Sequence, residues 1–172
     1  MGKQADPFGP GLMYNVSQHA TGDELFFLDE FDRRGFEWTM LRTAERYGFE
    51  VIDYCLMSNH FHVFVLLRTP NLPAAMQYLS ARYVERFNRR HDRNGHLVQA
   101  PYHAEAVLSE GHYLEVRRYF AMNPVKARIC SRPEVWPWGG YGGRGRVVPE
   151  PDGVVRLMVE QAMDELKPRR AA

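Results

Sequence analysis

A chain of 172 residues is long enough for one well-buried core and short for two, and hydrophobic and aromatic fractions of 45% and 13% are those of a folded protein. No window holds the roughly 18 consecutive apolar residues of a membrane span, and Met1-Gly2-Lys3-Gln4-Ala5-Asp6-Pro7 contains no apolar signal region, so a cytoplasmic protein without a membrane partner is expected. A formal net charge of +1 makes no general case for nucleic acid, and of the two cysteines Cys55 lies in an apolar run where a buried, reduced thiol is the ordinary outcome.

Residues 1–10 form a Gly/Pro-containing leader, expected to be flexible. Leu12 to Gln18 alternates as a strand, and Glu30 to Tyr47 carries a helical stripe of Phe36, Met40 and Tyr47 with Gly48 at the stop position. Two strands, Phe49 to Met57 and His60 to Arg68, follow around Ser58-Asn59. The second is apolar on both faces beyond its histidines, the mark of a central strand. Asn71-Leu72-Pro73 opens a helix that runs to His91 on Leu72, Met76, Leu79, Tyr83 and Phe87. A short strand, Ala104 to Leu108, leads to Ser109, which can cap a helix from about Gly111 to Met122 that Asn123-Pro124 should stop. Asp152 to Leu166 reads as a last amphipathic helix. The order predicts an α+β fold, a βαββαβ antiparallel sheet of ferredoxin-like or RNA-recognition-motif layout with helices mainly on one face.

Side chains alternate along a strand, so His60 and His62 share one face and can hold one divalent ion. A lone histidine on such a strand is more often a satisfied core residue; two at this spacing both need partners, which a shared metal supplies. Tyr119 and Asn123 lie one helical turn apart. The amide offers a hard oxygen ligand for Mg²⁺ or Mn²⁺ beside the imidazoles, and the phenol offers a nucleophile, although a half-buried packing aromatic has the same spacing. Basic residues cluster in two places: Arg82, Arg86, Arg89, Arg90 and Arg93 in the stretch Ala81 to Arg93, and Arg117, Arg118, Lys126, Arg128 and Arg132 later. Such clusters permit a phosphate-binding face and are also common as plain solvated surface.

His60-Phe61-His62 behind Tyr54-Cys55-Leu56-Met57-Ser58-Asn59, then Tyr119-x-x-x-Asn123-Pro124-Val125-Lys126-Ala127, then Trp136-Pro137-Trp138-Gly139-Gly140-Tyr141, resemble in order the REP-associated tyrosine transposases, one-tyrosine members of the HUH endonuclease superfamily. The resemblance spans about 11–141, which would be the catalytic domain, and leaves 142–172 as a C-terminal extension with its helix. It implies metal binding by His60, His62 and Asn123, and attack by Tyr119 on single-stranded DNA at hairpin-forming palindromic repeats through a 5′-phosphotyrosine intermediate. It further implies a Mg²⁺ or Mn²⁺ cofactor, a monomer or homodimer, and DNA contacts from Arg82, Arg86, Arg89, Arg90, Arg117, Arg118 and Lys126. The chain departs from the usual pattern at Gln18-His19, Ser58, Val98 to His103 and Arg128, where customary basic, proline or glycine positions are replaced. A catalytically weak nucleic-acid-binding protein and a phosphodiesterase working through water, with Tyr119 structural, stand as alternatives.

Overall fold

The computed structural model describes residues 8–143 and 153–166. Most of the leader and part of the C-terminal extension lie outside them. The elements are β1 (Met13–His19), α1 (Glu30–Tyr47), β2 (Phe49–Leu56), β3 (His60–Leu67), α2 (Leu72–Arg90), β4 (His103–Val107), α3 (Glu110–Lys126), a 3-10 turn (Pro133–Val135) and α4 (Gly153–Glu165). Local chemistry sets several boundaries. The Asp29 carboxylate accepts from the Phe31 and Asp32 amides to start α1, and Gly48, in the left-handed region at φ 65°, ends it. No helix among the described residues is long and apolar enough to cross a membrane.

Helix α3 overruns its expected end at Asn123-Pro124 and continues to Lys126. Proline has a helical φ, and its missing N–H costs one bond only two residues before the helix closes. The end is secured by Arg128 N donating to Val125 O and Ile129 N to Pro124 O, both at 2.9 Å. Asn123 therefore stays in the helix, one turn beyond Tyr119.

The four strands form one antiparallel sheet in the order β2-β3-β1-β4. Helices α1 and α2 cover one face, where Phe36, Met40, Tyr83 and Phe87 pack with Val16, Phe61, Val63 and Val65. Each fully buried phenylalanine of this kind contributes about 1.5–3 kcal/mol relative to exposure. Helix α3 does not join them. Its Val116 and Phe120, spaced i and i+4, lie against Cys55, Phe64 and Val107 on the opposite face, and α4 packs behind it through Val155, Val159 and Ala162 against Ala121 and Met122. The helices thus divide between the two faces instead of gathering mainly on one.

Two irregularities of β2 matter for the site. The register slips between Val51, opposite Val65, and Asp53, opposite Phe64. Without this bulge Asp53 would share the α1/α2 face with Val51; with it, Asp53 faces α3. The outer edge of β2 is covered by the Trp-Pro-Trp-Gly-Gly segment: Leu56 N donates to Trp138 O at 2.8 Å and Gly140 N to Tyr54 O at 3.1 Å. Gly139 allows this approach, because a Cβ there would stand 3.1 Å from Tyr54 O.

Candidate active site

The β2–β3 turn is fixed by backbone bonds from three directions. Ala20 N donates to Asn59 O at 2.8 Å, and the Phe26 and Phe27 amides donate to Ser58 O at 2.8 and 3.2 Å. His60 and His62 leave this turn on the α3 side of the sheet, their rings 5.0 Å apart and nearly perpendicular. Across the strand pair, His19 is opposite His60 and stacks on it with centroids 4.5 Å apart and planes 16° from parallel. The Asn59 Oδ1 lies 2.8 Å from His60 Nδ1, so Nδ1 donates and the Nε2 lone pair is left available.

His62 is buried, 8% exposed, and neither ring nitrogen has a partner among the described residues. The Tyr119 ring stands edge-on to it at 5.3 Å and the Phe120 ring lies 5.4 Å away. Ser109 Oγ caps α3 by accepting from His112 N at 3.1 Å, and the helix then presents Tyr119, 40% exposed, beside His62. Asn123 follows a turn later, its Nδ2 buried without a partner. Buried polar groups are ordinarily satisfied, so the two orphaned ring nitrogens of His62 mark a place arranged for something else.

Burial pushes the His62 imidazole down to about 3, with like-charge repulsion from His60, His19 and His103 adding to the effect. Burial likewise pushes His60 down to about 4, helped by His19. Both rings are neutral near pH 7, the form in which imidazole ligates a metal. No group of three or more His, Cys, Asp or Glu side chains that could hold an ion occurs among the described residues. The residues that could hold an ion are the two imidazoles and, one turn beyond Tyr119 on α3, the Asn123 amide oxygen. It suits an ion that keeps several waters or substrate oxygens in its shell, as Mg²⁺ does.

The basic residues expected to touch DNA are not brought together here. Helix α2 lies on the other face of the sheet. Arg82 and Arg89 both pair with Glu85, at 3.0 and 2.8 Å, and Arg90 pairs with Asp29 and Asp32, each at 2.6 Å. Arg86 lies along α1, its side chain over Gly35. Arg118 pairs with Glu115 at 2.7 Å, and Lys126 is exposed in the last turn of α3. The assignment of Arg117 to DNA is corrected: only 4% exposed, it donates from Nε to Asp53 Oδ2 at 3.0 Å and from Nη1 to Tyr113 Oη at 3.1 Å. The bulge in β2 is what makes it a core residue. Gln18 is buried under α2, accepting from Ser80 Oγ at 2.7 Å, so it does not line the site either.

His19, Asn59 and His103 surround the histidine pair without having been expected to. His19 and His103 reach it only through the strand order, β1 pairing with β3 on one side and β4 on the other. Asn59 carried a local signal, its place directly before His60 in a tight turn.

The family described as Transposase IS200 like matches residues 26–123, a span that begins before the turn of the histidine strand and ends on Asn123. No curated protein matches the chain in sequence. Among solved structures, a REP-associated tyrosine transposase bound to a REP hairpin superposes with a TM-score of 0.72 at 13% identity, covering 89% of this chain and 92% of that one. A Deinococcus radiodurans chain described as a transposase covers 69% of this chain and 95% of its own at 18% identity, with a TM-score of 0.49. The family match spans more than half of the chain and encloses His60, His62, Tyr119 and Asn123, and the chain belongs to the IS200-like transposase family.

Proposed function

We propose that this protein cleaves and transfers single-stranded DNA at hairpin-forming repeats, using Tyr119 as the nucleophile. The observation that carries the reading is the exposed Tyr119 held edge-on to a buried His62 whose two ring nitrogens have no partner among the described residues. The structural neighbour bound to a REP hairpin supports the choice of hairpin DNA as substrate. The Tyr119 oxygen, having lost its proton to solvent, forms a new P–O bond while the bond from phosphorus to the 3′ oxygen breaks. The 3′ oxygen takes a proton from solvent and leaves as a hydroxyl, and the 5′ phosphate stays on the tyrosine. Attack by a second 3′-hydroxyl reverses the step and restores a phosphodiester, with no nucleotide cofactor, because the bond energy is retained in the phosphotyrosine. His60, His62 and Asn123 would hold a Mg²⁺ or Mn²⁺ ion, which supplies Lewis-acid activation of the phosphate. His19 stacks on His60 and Asn59 fixes its tautomer, so this ligand is oriented before substrate arrives.

Incubating the protein with end-labelled single-stranded hairpin DNA and Mg²⁺ or Mn²⁺ should give a denaturant-resistant protein–DNA adduct that Tyr119→Phe lacks. Cleavage that survives Tyr119→Phe would instead identify water as the nucleophile. Binding without cleavage under either metal would identify a non-catalytic binder, and absence of both would remove DNA as the substrate.

A further inference from the structure

Arg33, on the first turns of α1, was not among the basic residues that the sequence singles out. Its guanidinium carbon lies 5.4 Å from the Phe27 ring centroid, 5.5 Å from Trp136 and 5.9 Å from Trp138, so three aromatic rings frame one cation. Most of the other arginines near it are neutralised: Arg34 pairs with Glu30, and Arg90 takes both Asp29 and Asp32. Arg33 has no carboxylate within ion-pair distance among the described residues, and its one side-chain hydrogen bond is from Nη1 to the Asp29 carbonyl at 3.3 Å. Its Nε is buried without a partner, and so is the Trp136 Nε1 beside it. Both leftover atoms are N–H donors. What they lack is an acceptor, one donor belonging to Arg33 and one to Trp136, and a half-buried cation with no paired carboxylate favours an anionic acceptor.

The frame is also tied through the backbone to the turn that delivers the histidines. Phe27 donates its amide to Ser58 O at 3.2 Å, in the turn that delivers His60, and Trp138 O receives Leu56 N at the end of β2. We infer that Arg33, framed by Phe27, Trp136 and Trp138, is a phosphate-binding site for the DNA strand that enters or leaves the cleavage site. The inference rests on the reading of the protein as a single-strand DNA transferase. Planar guanidinium between aromatic rings is oriented in advance for phosphate oxygens, and the half-buried Trp136 and Trp138 beside it supply aromatic surface on which an adjacent base could stack. A merely structural Arg33, pinning the Trp-Pro-Trp segment onto α1, would predict a stability effect with no consequence for DNA.

The test measures binding of the full-length protein to a fluorescent single-stranded hairpin over a range of salt concentrations, with EDTA present to prevent cleavage, alongside thermal melts. Arg33→Gln should weaken binding about tenfold. It should also flatten the slope of log affinity against log salt by about 0.7, the release expected for one lost phosphate contact on a single strand. Arg33→Lys should keep the slope and still lose affinity, because it retains the charge without the planar fork. Inorganic phosphate should compete more weakly against Arg33→Gln than against the unmodified protein. Unchanged affinity and slope in Arg33→Gln overturn the inference, whatever the melt shows; should that variant not fold, unchanged affinity in Arg33→Lys overturns it. Failure of the unmodified protein to bind the hairpin overturns the functional reading itself, an outcome distinct from either of these.

Discussion

Replacing Arg117 with methionine will destabilise the protein by about 3–5 kcal/mol, the cost of leaving one partner of a buried ion pair without its counter-charge. The Asp53 and Arg117 side chains are 4% and 5% exposed and 3.0 Å apart, so water cannot replace the guanidinium. Burial pushes the Asp53 carboxyl up to about 6, against the pull of Arg117 and the Tyr54 amide. Near pH 7 the pair is ionised. Without Arg117 the carboxyl rises further, and protonation relieves part of the penalty, so the loss will be larger at pH 8 than at pH 5 in urea-unfolding curves. Asp53→Leu combined with Arg117→Met should recover much of it, since two apolar groups need no partner. A loss below about 1 kcal/mol in the single variant, the ordinary size of a surface change, would show that the pair does not hold α3 in place. The pair also gives direction to contacts that otherwise have none. Val116 and Phe120 hold α3 on the sheet through non-directional packing, whereas Arg117, two residues before Tyr119, fixes where along β2 the helix sits.

Much of the site was legible because it depends on local rules. Alternation alone puts His60 and His62 on one face, the helical repeat puts Tyr119 one turn from Asn123, and the helical stripe with Gly48 at its stop places α1 within its observed limits. The parts that were not legible depend on long-range pairing. Nothing in Val51-Ile52-Asp53 announces a bulge, yet that slip turns Asp53 toward α3 and converts Arg117 from a presumed DNA contact into a core residue. The cap and stop signals of α3 place a helix there but do not say which face of the sheet receives it. The arginine-rich surface of α2 shows the same limit: composition marks a basic helix, while Glu85, Asp29 and Asp32, which neutralise it, are found only in three dimensions or at helical spacing. Arg33 is the converse, a single arginine in an unremarkable run whose setting comes from tryptophans a hundred residues away.

Acidification should destabilise the fold through the same histidines that make the site. Their folded-state values, about 4 for His60 and about 3 for His62, lie below the ordinary value of 6.5 because burial and neighbouring imidazoles oppose the charge. The unfolded chain takes up protons on both rings near 6.5, while the folded protein does so only near 4 and below. Their contribution is therefore fully present above about pH 6.5 and declines as pH falls through that value toward 4 and 3. Asp53 acts in the opposite sense, its raised carboxyl binding a proton in the folded state between about 6 and 4. The comparison that isolates the histidines is the native chain against His62→Ala, whose stability should fall less steeply over the same window. Metal should reveal the other side of this arrangement. Because the rings are already neutral at pH 7, an ion displaces no proton from them, and Mn²⁺ at about one hundred times its dissociation constant should add about 2.7 kcal/mol of stability. That gain should vanish in His60→Ala and His62→Ala and shrink at acid pH as the rings charge. Equal acid sensitivity with and without His62, together with no stabilisation by Mn²⁺ in the native chain, would show that the orphaned imidazole nitrogens serve packing alone.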